Sequence, residues 1–257
     1  MFKKSLFFAF FVLLLTGIRA QEPSNPTPFT EGTIRFNVAH NWAKKMEALS
    51  YLSKQKKERV AYTQGNRSEW HEYTLLHVNP TETKYLDSEE RAEQDDEGYS
   101  WRKETFFTKR NFSNNTLYDA LTVQGTNYLI NDTMVCQDWK ILNDMKEVAG
   151  HLCMNASWED TIKMQKIVAW FALDIPISAG PERLCGLPGL ILEADVNHGA
   201  MVITADRMDA KKLTTEFDIP KKQKGKKVNE TEYRKALKKF IDEQVKAEQP
   251  YFWDLRY

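Results

Sequence analysis

The chain has 257 residues, with 36 basic and 36 acidic side chains and 42% apolar residues. This length allows one large domain or two small ones, and the apolar fraction is sufficient for a buried core. Nucleic-acid binding requires an excess of basic residues on one face, so the balanced charge argues against DNA or RNA as a partner. The composition also excludes collagen-like, coiled-coil and disulfide-dense proteins.

Residues 1–20 have the pattern of a signal peptide. Lys3 and Lys4 precede an apolar run over residues 6–15, and the small Ala20 suits the position before a cleavage site. The run is too short to span a bilayer, which requires about 20 residues, and no later segment approaches that length. We therefore expect an exported protein that has no transmembrane segment after signal cleavage.

The mature chain is expected to begin with a disordered leader over residues 21–32, where three prolines lie among polar residues. A single β-rich domain is then predicted over residues 33–257. Apolar and polar residues alternate over 34–38, which indicates a half-buried first strand. Within 42–60 the apolar residues recur every three or four positions, which indicates a helix.

From residue 70 onward the period of two dominates, which predicts a curved, largely antiparallel sheet or a partly open barrel. Asn197, His198 and Gly199 separate the last two strands, and Asn and Gly readily adopt the positive φ angles of a tight hairpin loop. The predicted strands are 70–78, 83–86, 101–108, 116–123, 126–131, 137–142, 147–157, 162–172, 189–196 and 200–207.

The C-terminal region favours a helix that packs on the sheet, which makes the predicted fold mainly β with a C-terminal helix. Asn229 followed three residues later by Glu232 is an N-cap signature. The apolar stripe of this helix consists of Tyr233, Leu237, Phe240, Ile241 and Val245. An apolar tail over residues 251–257 follows, and it either packs on the domain or docks a partner.

The densest glycine and proline pattern lies at residues 180–191. Pro188 fixes φ at one corner of a turn, and Gly189 is expected to adopt a positive φ at the next. Apolar residues then begin a buried strand, so we interpret the block as a structural turn between two core strands. The turn consists of Gly186, Leu187, Pro188, Gly189, Leu190 and Ile191.

This hexapeptide resembles the GLPGLI family of exported bacterial envelope proteins. The resemblance covers roughly residues 115–208, and its upstream motifs are 139–141, 149–153, 169–171, Ile175-Pro176 and Gly180-Pro181. It implies a place in the periplasm or at the outer membrane of a Gram-negative bacterium, in some members near outer-membrane transporters. It implies no reaction.

Export would place Cys136, Cys153 and Cys185 in an oxidising compartment, where one pair can form a disulfide and one thiol is left over. The sequence does not choose among the three pairings. We weigh a Cys153–Cys185 bond most heavily, because it would fasten the turn to a neighbouring strand. Cys136 would then be unpaired. The other alternative is that no disulfide forms and the cysteines remain free or buried thiols.

A soft-metal site is the alternative interpretation of the same region. His151 and Cys153 would share one strand face, Met154 would lie on the other, and Cys185 could approach through the turn. Imidazole, thiolate and thioether groups are ligands that copper or zinc prefers. The site would then make the protein a periplasmic copper or zinc binder.

Recognisable catalytic signatures are absent from the sequence, including the nucleophile elbow, the zinc-protease helix and the phosphate-binding loop. We therefore expect a non-catalytic protein without a cofactor, acting as a binding or accessory component of an outer-membrane complex or transporter. Its partner would be a protein at the outer membrane. A hydrolase with a cysteine nucleophile and a distant histidine is the enzymatic alternative.

Overall fold

The computed structural model describes residues 29–64, 69–90, 92 and 106–257. The predicted signal peptide, most of the predicted leader and the first five residues of the predicted strand 101–108 lie outside this part of the chain. Among the described residues, no helix combines the length and the apolar character needed to cross a membrane.

Twelve strands form one sheet among the residues that the structure describes. They are β1 (Gly32–Asn41), β2 (Glu69–Val78), β3 (Glu82–Asp87), β4 (Phe107–Asn111), β5 (Thr116–Val123), β6 (Thr126–Thr133), β7 (Lys140–Val148), β8 (His151–Asp160), β9 (Gln165–Ala172), β10 (Ile191–Val196), β11 (Met201–Ala210) and β12 (Lys226–Val228). Their spatial order is β12-β6-β5-β4-β3-β2-β1-β11-β10-β9-β8-β7. Only the short β12 pairs in parallel, with β6, so the prediction of a mainly antiparallel β fold is confirmed.

The sheet curves around one core. β1 lies at its centre, and Ile34, Phe36 and Val38 from one face of this strand are at most 1% exposed. Residues from β5 and from β8, which lie towards opposite edges of the sheet, line the same interior cavity. Alternation of apolar and polar residues along a strand directs one face inward, and the curvature brings these inner faces together.

In the described part of the chain, three α-helices accompany the sheet: α1 (Trp42–Ala48), α2 (Lys54–Gln64) and α3 (Glu230–Lys246), and a short 3-10 helix covers Tyr251–Trp253. The single helix predicted within 42–60 is therefore two helices, because the first one ends at Leu49, whose backbone N–H bonds the Met46 carbonyl. The predicted C-terminal helix is confirmed. The Asn229 side chain accepts from the Glu232 backbone N–H, the Glu232 carboxylate accepts from the Asn229 N–H, and the helix packs on β6.

Of the predicted strands only 116–123 has the predicted boundaries, and among the others the difference is largest where β7 meets β8. Residues 147–148 belong to β7 rather than to β8, because the chain turns at Ala149 and Gly150, with φ angles of 50° and 82°. Alanine carries no sequence signal for a positive φ, which is why this hairpin was missed. The hairpin loop predicted at Asn197, His198 and Gly199 is confirmed, with φ angles of 52°, 54° and 86°.

The connection between β9 and β10 contains most of the hexapeptide and is fixed by backbone hydrogen bonds within itself and to the end of β9. The Leu190 N–H donates to the Ile175 carbonyl at 3.0 Å, and the Ala172 N–H donates to the Leu190 carbonyl at 2.8 Å. The positive φ lies at Gly186, at 96°, and not at Gly189 as predicted. Gly189 is required for a different reason: a Cβ there would lie 1.9 Å from the Ala172 carbonyl oxygen.

Substitution of Gly189 by alanine tests this close approach. The added methyl group would force the hexapeptide away from β9, so we expect Gly189→Ala to lower the free energy of unfolding by about 3 kcal/mol or more. Gly150→Ala is the control, because its Cβ would meet no atom within 4 Å and only the left-handed backbone is penalised, by about 1–2 kcal/mol. Urea unfolding measures both values, and equal losses would contradict the packing argument.

Candidate functional site

A cavity of about 360 Å³ lies between the inner face of the sheet, α1, α3 and the C-terminal residues. Small-molecule sites usually occupy about 300–1,000 Å³, so the cavity has room for a small ligand. Much of its wall is apolar or aromatic, with contributions from Leu121, Trp158, Ile167 and Leu237. Charged side chains interrupt this wall, and their partners determine what the cavity can bind.

Arg256 is one of these charged residues, and its side chain is 13% exposed. Its Nε donates to Glu182 at 2.6 Å and its Nη1 donates to Asp87 at 2.6 Å. Its guanidinium also lies 3.7 Å from the centre of the Phe106 ring. Among the described residues, Nη2 of Arg256 is the one buried side-chain nitrogen or oxygen without a hydrogen-bond partner.

Burial alone would lower the pKa of the Arg256 guanidinium, but Glu182 and Asp87 outweigh burial and raise the pKa well above its ordinary value. Arg256 is therefore a permanent cation in the cavity wall. A buried guanidinium nitrogen without an acceptor costs free energy, because it has lost its water without gaining a partner.

Lys163 lies beside Arg256, in the turn between β8 and β9. Its Nζ donates to the Arg256 carbonyl at 3.0 Å, which uses one of the three ammonium hydrogens. Burial lowers the pKa of Lys163, and the nearby carboxylates of Asp160 and Glu182 oppose this shift only in part. Asp160 itself accepts from the backbone N–H groups of Ile162 and Lys163, so its carboxylate shapes the turn.

Arg183 lines the cavity, but its guanidinium donates its hydrogen bonds to Asp119 and Glu230. Its Nε donates to Asp119 at 2.8 Å, and its Nη2 donates to Glu230 at 2.5 Å. Asp119 is completely buried and also bonds Arg110. Burial would raise the pKa of the Asp119 carboxyl, but Arg110 and Arg183 outweigh burial and lower it. Arg183 therefore connects the β9–β10 connection to β5 and α3.

The α1 side of the cavity holds a second polar cluster. The Lys45 Nζ lies 2.7 Å from the His40 Nδ1, and the His40 Nε2 lies 3.0 Å from the Glu72 Oε1. The Lys45 ammonium also lies 4.5 Å from the ring centres of both Trp42 and Tyr257. Lys45 is only 2% exposed, so these contacts hold it inside the protein.

The C-terminal segment, residues 250–257, forms one wall of the cavity. Three of its four aromatic side chains are buried, with Tyr251 0% and Tyr257 3% exposed, whereas Trp253 is 43% exposed. The Asn197 Nδ2 donates to the Tyr257 hydroxyl at 2.8 Å, and Leu255 forms an isolated β-bridge with Val123. Of the two alternatives for this tail, the structure therefore shows packing on the domain. Sequence reasoning did not identify Arg256, because a single arginine in an apolar tail matches no motif.

The predicted Cys153–Cys185 disulfide is wrong. Cys185 bonds Cys136, with a Cα–Cα distance of 5.1 Å, and Cys153 is the free cysteine. The reason is that the segment before β7 runs alongside the hexapeptide. The Trp139 indole donates to the Cys185 carbonyl at 2.7 Å, whereas Cys153 lies on β8 and pairs with Ala172 of β9.

The predicted metal site formed by His151, Cys153, Met154 and Cys185 is not assembled. Cys185 is a disulfide half and offers no thiolate. Cys153 is 0% exposed, its thiol donates to the His151 carbonyl, and burial raises its pKa to about 11. The His151 imidazole instead lies 2.8 Å from Asp174. Within the described ranges, no three or more His, Cys, Asp or Glu residues converge on a position that could hold a metal ion.

The observed pairing predicts how the three cysteines react. We expect no fast-reacting thiol in the folded protein, one thiol after unfolding and three after unfolding with a reductant, as measured with a thiol-specific chromophore. The 49-residue separation of the bonded cysteines predicts that the double variant Cys136→Ser/Cys185→Ser loses about 2–4 kcal/mol of the free energy of unfolding.

Cys153→Ala is the control for the thiol count, because it removes the free thiol and leaves the disulfide intact. Peptide mapping without reductant then identifies the bonded pair directly. Recovery of Cys153 in a disulfide-linked peptide would overturn this assignment.

A family model described as "Protein of unknown function (Porph_ging)" matches residues 133–193. The matched segment runs from the last residue of β6 to the start of β10 and includes the hexapeptide. No curated protein matches the chain.

Among solved structures, the chain is similar to PNGF-II crystallised in the C2 space group, with 13% sequence identity and a TM-score of 0.51 over 82% of this chain. PNGF-II in the P21 space group gives 14% identity and a TM-score of 0.50 over 80% of this chain. The chain spans about a third of the length of the PNGF-II chains, since it covers 33% of each. At this identity the likeness is one of fold alone, so the comparisons identify a Porph_ging segment within a PNGF-II-like β fold.

Proposed function

We propose that the protein is an exported, non-catalytic component of the cell envelope, of GLPGLI type, that binds a small ligand in its interior cavity. The observation that carries the proposal is the cavity of about 360 Å³, whose wall combines apolar residues such as Leu121 and Trp158 with charged residues such as Lys163 and Arg256. A concave cavity that offers apolar surface together with placed polar groups is the usual form of a small-molecule site.

The state of the charged groups supports binding rather than catalysis. Asp87 and Glu182 hold Arg256, and Asp160 accepts from backbone N–H groups, so these carboxylates have fixed structural partners. The one free thiol is buried and has a raised pKa, which disfavours the thiolate that a cysteine nucleophile requires. These observations also weigh against the cysteine hydrolase alternative.

The cellular setting of the proposal rests on the sequence. The signal-peptide pattern of residues 1–20 and the intact hexapeptide at 186–191 support an exported protein at the periplasmic or outer-membrane side of a Gram-negative envelope. We propose that it serves there as an accessory component of an outer-membrane complex or transporter, with a membrane protein as its partner. The ligand would then be cargo or a regulator of that complex.

Release of a native ligand tests the binding proposal. The full chain is exported with its own leader in a Gram-negative host, purified without detergent and denatured, and the released small molecules are identified by mass spectrometry. We expect one molecule close to 1:1 with the protein. Leu121→Trp should abolish its retention, because Leu121 lines the cavity and a larger ring would occupy the space.

Ile141→Trp is the matched control, since Ile141 lies on the edge strand β7 and is 47% exposed. It adds a ring of the same type outside the cavity and should retain the ligand. Circular dichroism establishes that both variants are folded. An empty wild-type protein, or equal retention by the folded Leu121→Trp variant, would refute a ligand site in the cavity.

A separate copurification experiment tests the accessory role. Gentle extraction of envelopes followed by copurification should recover an outer-membrane protein together with this chain. Recovery of the chain only as a free monomer, of about 30 kDa before leader removal, would count against that role. The cavity proposal would then be decided by the ligand measurement alone.

A further inference from the structure

We infer that the loop over residues 219–227, termed the basic loop, is a docking surface for the anionic headgroups of a lipid membrane. The inference makes no use of the cavity. It goes beyond the proposed function, which assigns no lipid contact to the chain.

The first argument is the uneven distribution of charge along the sequence. The full chain has 36 basic and 36 acidic residues, but residues 211–246 contain 12 basic and 6 acidic ones, a formal charge of +6. The density is highest in the basic loop, where five of the nine residues are lysine and none is acidic. These lysines are Lys221, Lys222, Lys224, Lys226 and Lys227.

The second argument is that these lysines are available to a partner. All five are exposed, and among the described residues none of them forms an ion pair with a carboxylate. The exposed lysines of α3 differ in this respect, because Lys238 pairs with Asp242 and Lys239 with Glu243. The positive charge that lacks a partner within the protein is therefore concentrated in the basic loop.

Nearby carboxylates do not cancel this charge. The acidic residues within five positions of the loop are Glu216, Asp218, Glu230 and Glu232. Glu216 pairs with Lys211, and Glu230 pairs with Arg183. Asp218 and Glu232 offset at most two of the five lysine charges, so an excess of three positive charges remains.

The third argument is that both ends of the basic loop are fixed on the sheet. Before the loop, the Lys84 Nζ donates to the Glu216 and Asp218 carbonyls at 3.0 and 2.7 Å, and Phe217 is 5% exposed. After it, β12 pairs with β6. Because consecutive Cα atoms are 3.80 Å apart, residues 221–224 span at most about 11 Å. Their charges therefore act on the same small area of a partner surface.

The fourth argument is an exposed apolar residue at the start of the loop. Ile219 is 36% exposed and is separated from Lys221 by one proline. Segments that lie on membranes combine apolar side chains, which enter the headgroup region, with lysines that attract anionic lipids. The aliphatic stems of lysine extend along apolar surface while the ammonium groups stay at the headgroups.

The composition of the loop favours a lipid surface over a nucleic acid or an acidic protein. Residues 218–232 contain no Phe, Tyr or Trp, on which nucleic-acid bases would stack. Protein interfaces are depleted in lysine and enriched in arginine and aromatic residues. Lysine is a hydrated point charge on a flexible stem, and this suits headgroup phosphates that have no fixed positions.

Vesicle binding by the full exported chain tests the inference. Anionic vesicles contain phosphatidylethanolamine and phosphatidylglycerol, neutral vesicles contain phosphatidylcholine, and binding is measured by cosedimentation. We expect about tenfold or tighter binding to the anionic vesicles, with release at high salt. Residues 21–257 contain 33 basic and 36 acidic side chains, so the overall charge would repel this chain and a local basic surface is needed.

The triple variant Lys221→Gln/Lys222→Gln/Lys224→Gln should weaken binding to anionic vesicles at least tenfold, because each lysine near such a surface contributes about fivefold. It leaves Lys226 and Lys227 in place, since lysines on the edge strand β12 also prevent strand addition.

Lys54→Gln/Lys140→Gln/Lys166→Gln is the matched control. It removes three exposed lysines from α2, β7 and β9 and should bind like the wild type. Circular dichroism establishes that both triple variants are folded.

The outcomes decide the inference without reference to the ligand or the protein partner. Equal binding to anionic and neutral vesicles would refute it, and so would equal affinities of the two folded triple variants. Capture of a DNA oligonucleotide or of polyglutamate by a chain that does not bind anionic vesicles would overturn the lipid assignment. The proposed function is decided separately, by the released ligand and by copurification.

Discussion

The ion pairs of Arg256 join three parts of the chain that are distant in sequence. Asp87 ends β3, Glu182 lies in the β9–β10 connection, and Arg256 belongs to the C-terminal segment, yet both carboxylate distances are 2.6 Å. Buried charges are costly to desolvate, and removing one partner costs far more than the complete set contributes. The cluster therefore specifies where the C-terminal segment lies, whether or not it adds net stability, and the cavity exists only with that wall in place.

Apolar burial supplies the stability that this arrangement requires. Tyr251, Phe252, Leu255 and Tyr257 of the C-terminal segment are each less than 9% exposed, and a fully buried large apolar side chain contributes about 1.5–3 kcal/mol. The rings next to Arg256 are those of Phe106 and Tyr85, whose centres lie 3.7 Å and 6.0 Å from its guanidinium, and a low local dielectric strengthens its ion pairs. The same burial makes the unpartnered Nη2 of Arg256 costly.

Local patterns predicted the elements of the fold well, and long-range contacts account for what was missed. The alternation over 34–38, the Asn229–Glu232 capping pair and the 197–199 hairpin each act within a few residues, and the structure contains all three. The disulfide partner of Cys185 lies 49 residues away and depends on which segment the curved sheet brings alongside. The cavity likewise combines residues from α1 to the C-terminal segment, and no local sequence pattern indicates that these residues lie close together.

The hexapeptide region is connected to the cavity through Glu182. This residue has a φ of 57°, a backbone conformation that non-glycine residues rarely adopt and that carries a cost. Two contacts offset that cost: the Glu182 carbonyl accepts from the Thr108 hydroxyl at 2.7 Å, and its carboxylate accepts from Arg256. Close approach of Gly180 to Ile191 and of Gly189 to Ala172 fixes the connection on both sides. The rigid turn therefore orients the carboxylate that holds Arg256, so the hexapeptide region and the C-terminal wall of the cavity depend on the same backbone.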